Sequence, residues 1–139
     1  MSENSIYMAL GEHLQTLTLP PIIEGILWAG YPVDPQPDNY LYAQLLPNAP
    51  VTQSVGGTGG QLRGLWQVDV VLLRAPDKGP YEAREVAEAI RQHYAGQKLY
   101  RDGRQIIIPS IPTIAPPLIE GAYITVPVTI EYQSPHYEA

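Results

Sequence analysis

A chain of 139 residues, 45% of them hydrophobic, is long enough for one domain around one core and too apolar to stay disordered as a whole. A formal charge of -6 and a pI near 4.9, with the Lys and Arg residues scattered rather than clustered, disfavour direct binding to phosphate backbones. The absence of cysteine excludes disulfides, thiolate metal sites and thiol nucleophiles.

No apolar run approaches the roughly 20 residues that span a bilayer. The N-terminal MSENSIYMAL has neither the basic nor the long apolar part of a secretory signal, so a cytoplasmic location is expected. The chain also carries 10 tyrosines and no phenylalanine. A tyrosine buries ring area and keeps a polar tip, which suits half-exposed contact surfaces.

The spacing of Ile6, Leu10, Leu14 and Leu17, with Ala9 and His13 beside them, predicts an amphipathic helix over residues 5–17. Asn4 or Ser5 is available as its cap, Gly11 weakens it and Pro20-Pro21 stops it. Residues 26–29 read as a first strand. Pro32, Pro35 and Pro37 then impose an extended loop, and residues 40–46 read as a second strand. Residues 48–64, NAPVTQSVGGTGGQLRG, form a long polar connection of a kind that is usually functional or disordered. Its glycines lack the Lys-Ser/Thr and the following helix that a phosphate cradle needs.

Residues 65–74 are the longest strand-like run. Trp66, Val68, Val70 and Leu72 point to one, wholly apolar face; Leu65, Gln67, Asp69, Val71 and Leu73 point to a mixed one. After a turn, residues 81–95 form the best helix, with Ala83, Val86, Ala87, Ile90 and Tyr94 in one stripe and Gly96 placed to end it. Residues 97–101 and 105–108 read as a hairpin tipped by Asp102-Gly103. The prolines of SIPTIAPPLIEGA predict an extended connection that resists helix and central strand alike. The last strand is predicted over residues 123–132, with Pro127 implying a sheet edge or a bulge, and the tail SPHYEA is expected to fray. The fold class expected is α+β: one domain over residues 1–139, a mixed, mostly antiparallel sheet of about five strands, and two helices on one face, in the order α-β-β-β-α-β-β.

No catalytic constellation emerges. His13, His93 and His136 have no ligand spacing with a carboxylate and read as ordinary boundary or surface residues. Asp69 on the mixed face has no natural acid or base partner, so a salt bridge or an interface hydrogen bond is expected of it. Ser54, Ser110 and Ser134 lack a nucleophile elbow, and Glu82, Glu85 and Glu88 make a solvated helix face. No catalytic, cofactor-binding or metal-binding residue is assigned.

The early helix ending in LTLPP, the segment PDNYLYAQLLPNAP and the passage GGTGGQLRGLWQVDVVLLRAPDKGP carry a resemblance, together with the helix EAREVAEAIRQHYAGQKL, the hairpin YRDGRQIIIP and the closing YITVPVTIEY. Over nearly its whole length the chain resembles the tail terminator proteins of long-tailed bacteriophages and prophages. The resemblance implies a hexameric ring that stops tail-tube polymerisation and gives the face on which the head docks. It implies no enzymatic activity and no cofactor. The implied partners are further copies of the chain, the tail tube protein and a head–tail connector, met in the host cytoplasm and then in the virion tail, with no specific nucleic-acid recognition and no membrane. Contact with the tube or a neighbouring subunit is expected from Gln53, Ser54, Val55, Thr58, Gln61, Leu62 and Arg63 of the glycine-rich passage, and from Gln67 and Asp69 on the mixed strand face. The alternatives are another head–tail joining or neck protein, or a small enzyme or ligand-binding module using a groove beside Asp69.

Overall fold

The computed structural model describes residues 3–32, 36–47 and 60–136. In chain order its elements are α1 (Glu3–Gln15), β1 (Gly25–Trp28), β2 (Tyr40–Pro47), β3 (Gly60–Leu73), α2 (Pro80–Tyr94), β4 (Lys98–Arg101), β5 (Arg104–Ile107), β6 (Thr113–Ile114), β7 (Leu118–Glu120) and β8 (Tyr123–His136). The sheet runs β1-β2-β3-β8-β5-β4, with β6 and β7 also paired to β8. Only β1 and β2 are parallel; the other pairings are antiparallel.

The architecture is the expected α+β one, but the sheet has eight strand segments rather than about five. The extra segments include β6 and β7, which lie in the proline-rich connection expected to be extended, and neither is a central strand: each pairs with β8 alone. They are two and three residues long, and both hang on β8 through long-range pairing that no local propensity encodes.

Strands β3 and β8 form the spine and pair over their whole lengths. Their apolar positions meet in register, with Trp66 opposite Ile130, Val68 opposite Val128, Val70 opposite Val126 and Leu72 opposite Ile124. All eight side chains are buried. Both helices pack on this face: Ile6, Leu10 and Leu14 of α1 and Ala83, Val86, Ala87, Ile90 and Tyr94 of α2 complete one core. Each such Val, Leu or Ile stabilises the fold by roughly 1.5–3 kcal/mol when fully buried.

Pro127 is therefore not on an edge strand. Its carbonyl accepts from the Ala115 amide at 2.9 Å on the side away from β3. Its nitrogen, which cannot donate, falls at the break between β6 and β7, whose paired residues on β8 are Val128–Thr129 and Tyr123–Thr125. The tail does not fray where expected either: β8 continues to His136, paired with the start of β3. Ser134 is buried there, its hydroxyl donating to the Gln105 carbonyl at 2.8 Å and accepting from Arg104 Nη1 at 3.2 Å.

Helix α1 starts at Glu3, so Asn4 and Ser5 lie within it, and Ser5 Oγ donates to Asp102 Oδ2 at 3.0 Å instead of capping. Gly11 admits the Trp28 ring: a Cβ there would lie 3.2 Å from Trp28 Cζ3. At the hairpin tip, Asp102 (φ 54°) and Gly103 (φ 76°) both take the left-handed conformation that a tight two-residue turn requires. Buried Asn39 ties the start of β2 to its neighbours. Its amide group and backbone N–H both donate to Glu24 Oε2, and its Oδ1 accepts from the Leu73 amide at 2.9 Å.

Candidate interaction surface

The sheet face opposite the helices carries the side chains that alternate with the core. Reading across the register, Tyr42 of β2, Asp69 of β3 and Pro127 of β8 form one row. Gln44, Gln67 and Thr129 form the next, and Tyr40, Val71 and Thr125 the row on the other side. Most of these are half-buried by their neighbours, and Val71 is buried. The result is a broad, largely uncharged surface of hydroxyl, amide and aliphatic groups with one carboxylate at its centre.

That carboxylate is Asp69. Its Oδ1 accepts from Gln67 Nε2 at 3.0 Å, and it lies in no ion pair among the described residues. Desolvation raises its pKa above the usual carboxylate range, and the hydrogen bond from Gln67 offsets this only in part. A charge placed this way is costly in the isolated chain and becomes favourable when a partner brings a donor or a cation to it.

The expected contact residues divide. Gln67 and Asp69 are neighbours on the open face, and exposed Arg63 lies on the same face further along β3, opposite Gln133. Leu62 turns to the other side and is buried in the core, so it supports the strand and presents nothing to a partner. Gln61 lies in β3 opposite Pro135. Gln53, Ser54, Val55 and Thr58 lie outside the described residues. A concavity of about 240 Å³ lies elsewhere, between α1 and β1, with Tyr7, Met8, Trp28 and Tyr31 in its lining.

The structure also joins two histidines that sequence reasoning treated separately. His13 and His93 stack with ring centroids 4.0 Å apart and 15° between planes. The Nε2–H of each ring donates to the backbone carbonyl of the other, at 2.7 and 2.6 Å. Both carbonyls sit in the last turns of their helices, and that of His13 also accepts from the Thr16 N–H at 3.1 Å and the Thr16 hydroxyl at 2.6 Å. Eighty positions separate the two residues, and no local pattern announces the pair.

The His13 pKa is lowered, first by desolvation and also by the like charge of His93, against a raising contribution from its bond to the His93 carbonyl. A base whose folded pKa is depressed gives stability that is complete above its unfolded pKa, about 6.5, and is lost as pH falls toward the folded value. The Tm should therefore fall between pH 7.5 and 5, and His13→Gln should flatten that part of the profile; a thermal melt series checks it.

The fold and this surface can now be set beside known proteins. The sequence matches the phage tail terminator protein family over residues 5–132. The chain belongs to that family. It is a structural protein of a phage-type virion tail. No curated protein sequence matches it. Among solved structures, the virion of a native gene transfer agent particle contains a chain that superimposes with a TM-score of 0.70 at 12% identity, covering 96% of this chain and 97% of that one. A second solved chain, whose recorded name carries no function, gives a TM-score of 0.74 at 23% identity, covering 100% and 99%. At these identities the likeness concerns the fold of the tail terminator domain. Among the described residues of this family member, no helix is long and apolar enough to cross a membrane.

Proposed function

We propose that this tail terminator family member caps the tail tube as a ring of subunits, ends tube polymerisation and presents the face on which the head-side connector docks, without making or breaking bonds. The observation that carries the reading is the family match across nearly the whole folded chain. The open sheet face supports it, because a broad surface of mostly uncharged groups around the partly desolvated Asp69 suits contact with another protein. The acidic net charge suits a passage through which DNA slides without sticking. Assembly takes place in the host cytoplasm, and Gln53, Ser54, Val55, Thr58, Gln61 and Arg63, with Gln67 and Asp69, meet the tube or the adjacent subunit.

Electron microscopy of tails made without the protein tests this. Tubes of uncontrolled length that fail to join heads are expected, with normal length restored by supplying the chain. Tails of normal length joined to heads in its absence would show that termination belongs to another component.

A further inference from the structure

We propose that the two lateral edges of the sheet bind each other between copies of this chain, head to tail, with Arg74 of one copy seated beside Asp38 of the next; this rests on the terminator reading and names the contact that would build its ring. One row of the register crosses the whole layer: Gly25, Tyr40, Val71, Thr125 and Leu118 lie side by side on β1, β2, β3, β8 and β7. At this level β1 is one edge and β7 the other, about 19 Å apart at the usual strand spacing.

The two edges differ in shape and in charge. The β7 edge is largely apolar: Ile111, ahead of β6, and Leu118 and Ile119 of β7 are 72%, 51% and 55% exposed, and exposed Glu120 ends the strand. An edge strand with bare Leu and Ile is an aggregation hazard unless something covers it. At its tip, Arg74 Nη1 rests on the Gly121 carbonyl at 3.3 Å, and Arg74 pairs with no carboxylate among the described residues. The β1 edge is concave and acidic. A hollow of about 500 Å³ runs along Gly25, Ile26 and Leu27, with Glu24 and Asp38 at its rim. Glu24 is engaged by Asn39, whereas Asp38 is exposed and in no ion pair among the described residues. No Lys or Arg precedes Arg63 in the sequence, so no cation of the first 62 residues neutralises this rim.

A largely apolar edge with a cation fits a hollow edge with a free acid. Pairing the β1 edge with its own kind would set Glu24 and Asp38 against the same acids with no cation among its lining residues, whereas the opposite edge brings Arg74. The occupant of each edge is therefore the opposite edge of another copy. A contact between two different surfaces of one chain is heterologous, and it closes into a ring when the rotation between neighbours allows.

Sedimentation velocity over a concentration series tests this with Arg74→Glu and Asp38→Arg, both at exposed positions outside the core. The unaltered chain should give concentration-dependent larger species, and each single variant should lose them. An equimolar mixture of the two variants should recover them. In an alternating array of the two, each contact joins either the two native side chains or the two introduced ones, and both combinations set an acid against a cation. The double variant should recover the larger species too. Single variants that sediment like the unaltered chain, a mixture that stays monomeric, or an unaltered chain that is monomeric throughout would each overturn the contact. Tail length in complemented phage keeps the two ideas apart. If both single variants restore normal tails, termination stands and this contact falls; if tails are normal without the protein, termination falls whatever the sedimentation shows.

Discussion

Tyr94→Phe should lower the unfolding free energy by about 2–4 kcal/mol, since it orphans buried polar groups that cost roughly 1–3 kcal/mol each. The Tyr94 hydroxyl joins three elements. It accepts from Trp66 Nε1 of β3 at 3.0 Å and donates to the Leu10 carbonyl of α1 at 2.6 Å, while its own ring belongs to α2. Tyr94 and Trp66 are both fully buried, so no water replaces the hydroxyl when it is removed. Burial pushes the phenol far above its ordinary pKa, so the group stays a donor at every workable pH. The indole N–H is the more exposed of the two losses, because the Leu10 carbonyl sits mid-helix and keeps its backbone donor. Trp66→Phe removes that indole donor, so adding it to Tyr94→Phe should cost less than the sum of the two single changes, by about 1 kcal/mol. Urea denaturation of the three variants reads this directly. A Tyr94→Phe variant within about 0.5 kcal/mol of the parent, the range of an unremarkable surface change, would mean that the bridge contributes nothing.

The parts of this fold that were legible from sequence are those in which a local period agrees with the final environment. The α2 stripe of Ala83, Val86, Ala87, Ile90 and Tyr94 is buried as a set. The alternation from Trp66 to Leu72 places the core on one side and Gln67 and Asp69 on the other. Followed two residues back, the same alternation puts Leu62 on the core side and Arg63 on the open side, so the burial of Leu62 was readable from a pattern already in use. What could not be read depends on chain segments far apart. Thr113 and Leu118 become strand because β8 offers them a free edge, in spite of the prolines between them. Ser134 stays in strand because Leu62 lies opposite it and the Gln105 carbonyl accepts its hydroxyl. The stacking of His13 on His93 likewise needs the finished packing of α1 on α2.

Asp69→Asn should make the isolated chain slightly more stable and its assembly into tails markedly worse. The amide keeps an oxygen for Gln67 Nε2 and loses the charge that desolvation penalises. For an acid whose folded pKa is raised, the folded state holds its proton longer than the unfolded one, so stability is lost as pH rises from the ordinary carboxylate range through the folded value. The asparagine variant should not show that loss. Asp69 is only partly buried, and solvent screening keeps the gain at neutral pH below about 1 kcal/mol. Assembly should move the other way, because the same carboxylate, with no ion-pair partner among the described residues, becomes favourable when a neighbour supplies a cation or several donors. Losing one member of a charge pair that becomes buried on binding costs about 2 kcal/mol or more, which is roughly 30-fold in affinity for each contact. A ring repeats the contact in every subunit, so the deficit compounds and completed tails should be rare; Asp69→Lys, which sets a cation against the donor it needs to meet, should produce none. Chemical denaturation at two pH values and counts of completed tails in complemented phage measure the two halves separately. An asparagine variant less stable than the parent would assign Asp69 to the fold; one that builds normal tails would remove it from the contact surface and leave the open face to be explained by its tyrosines alone.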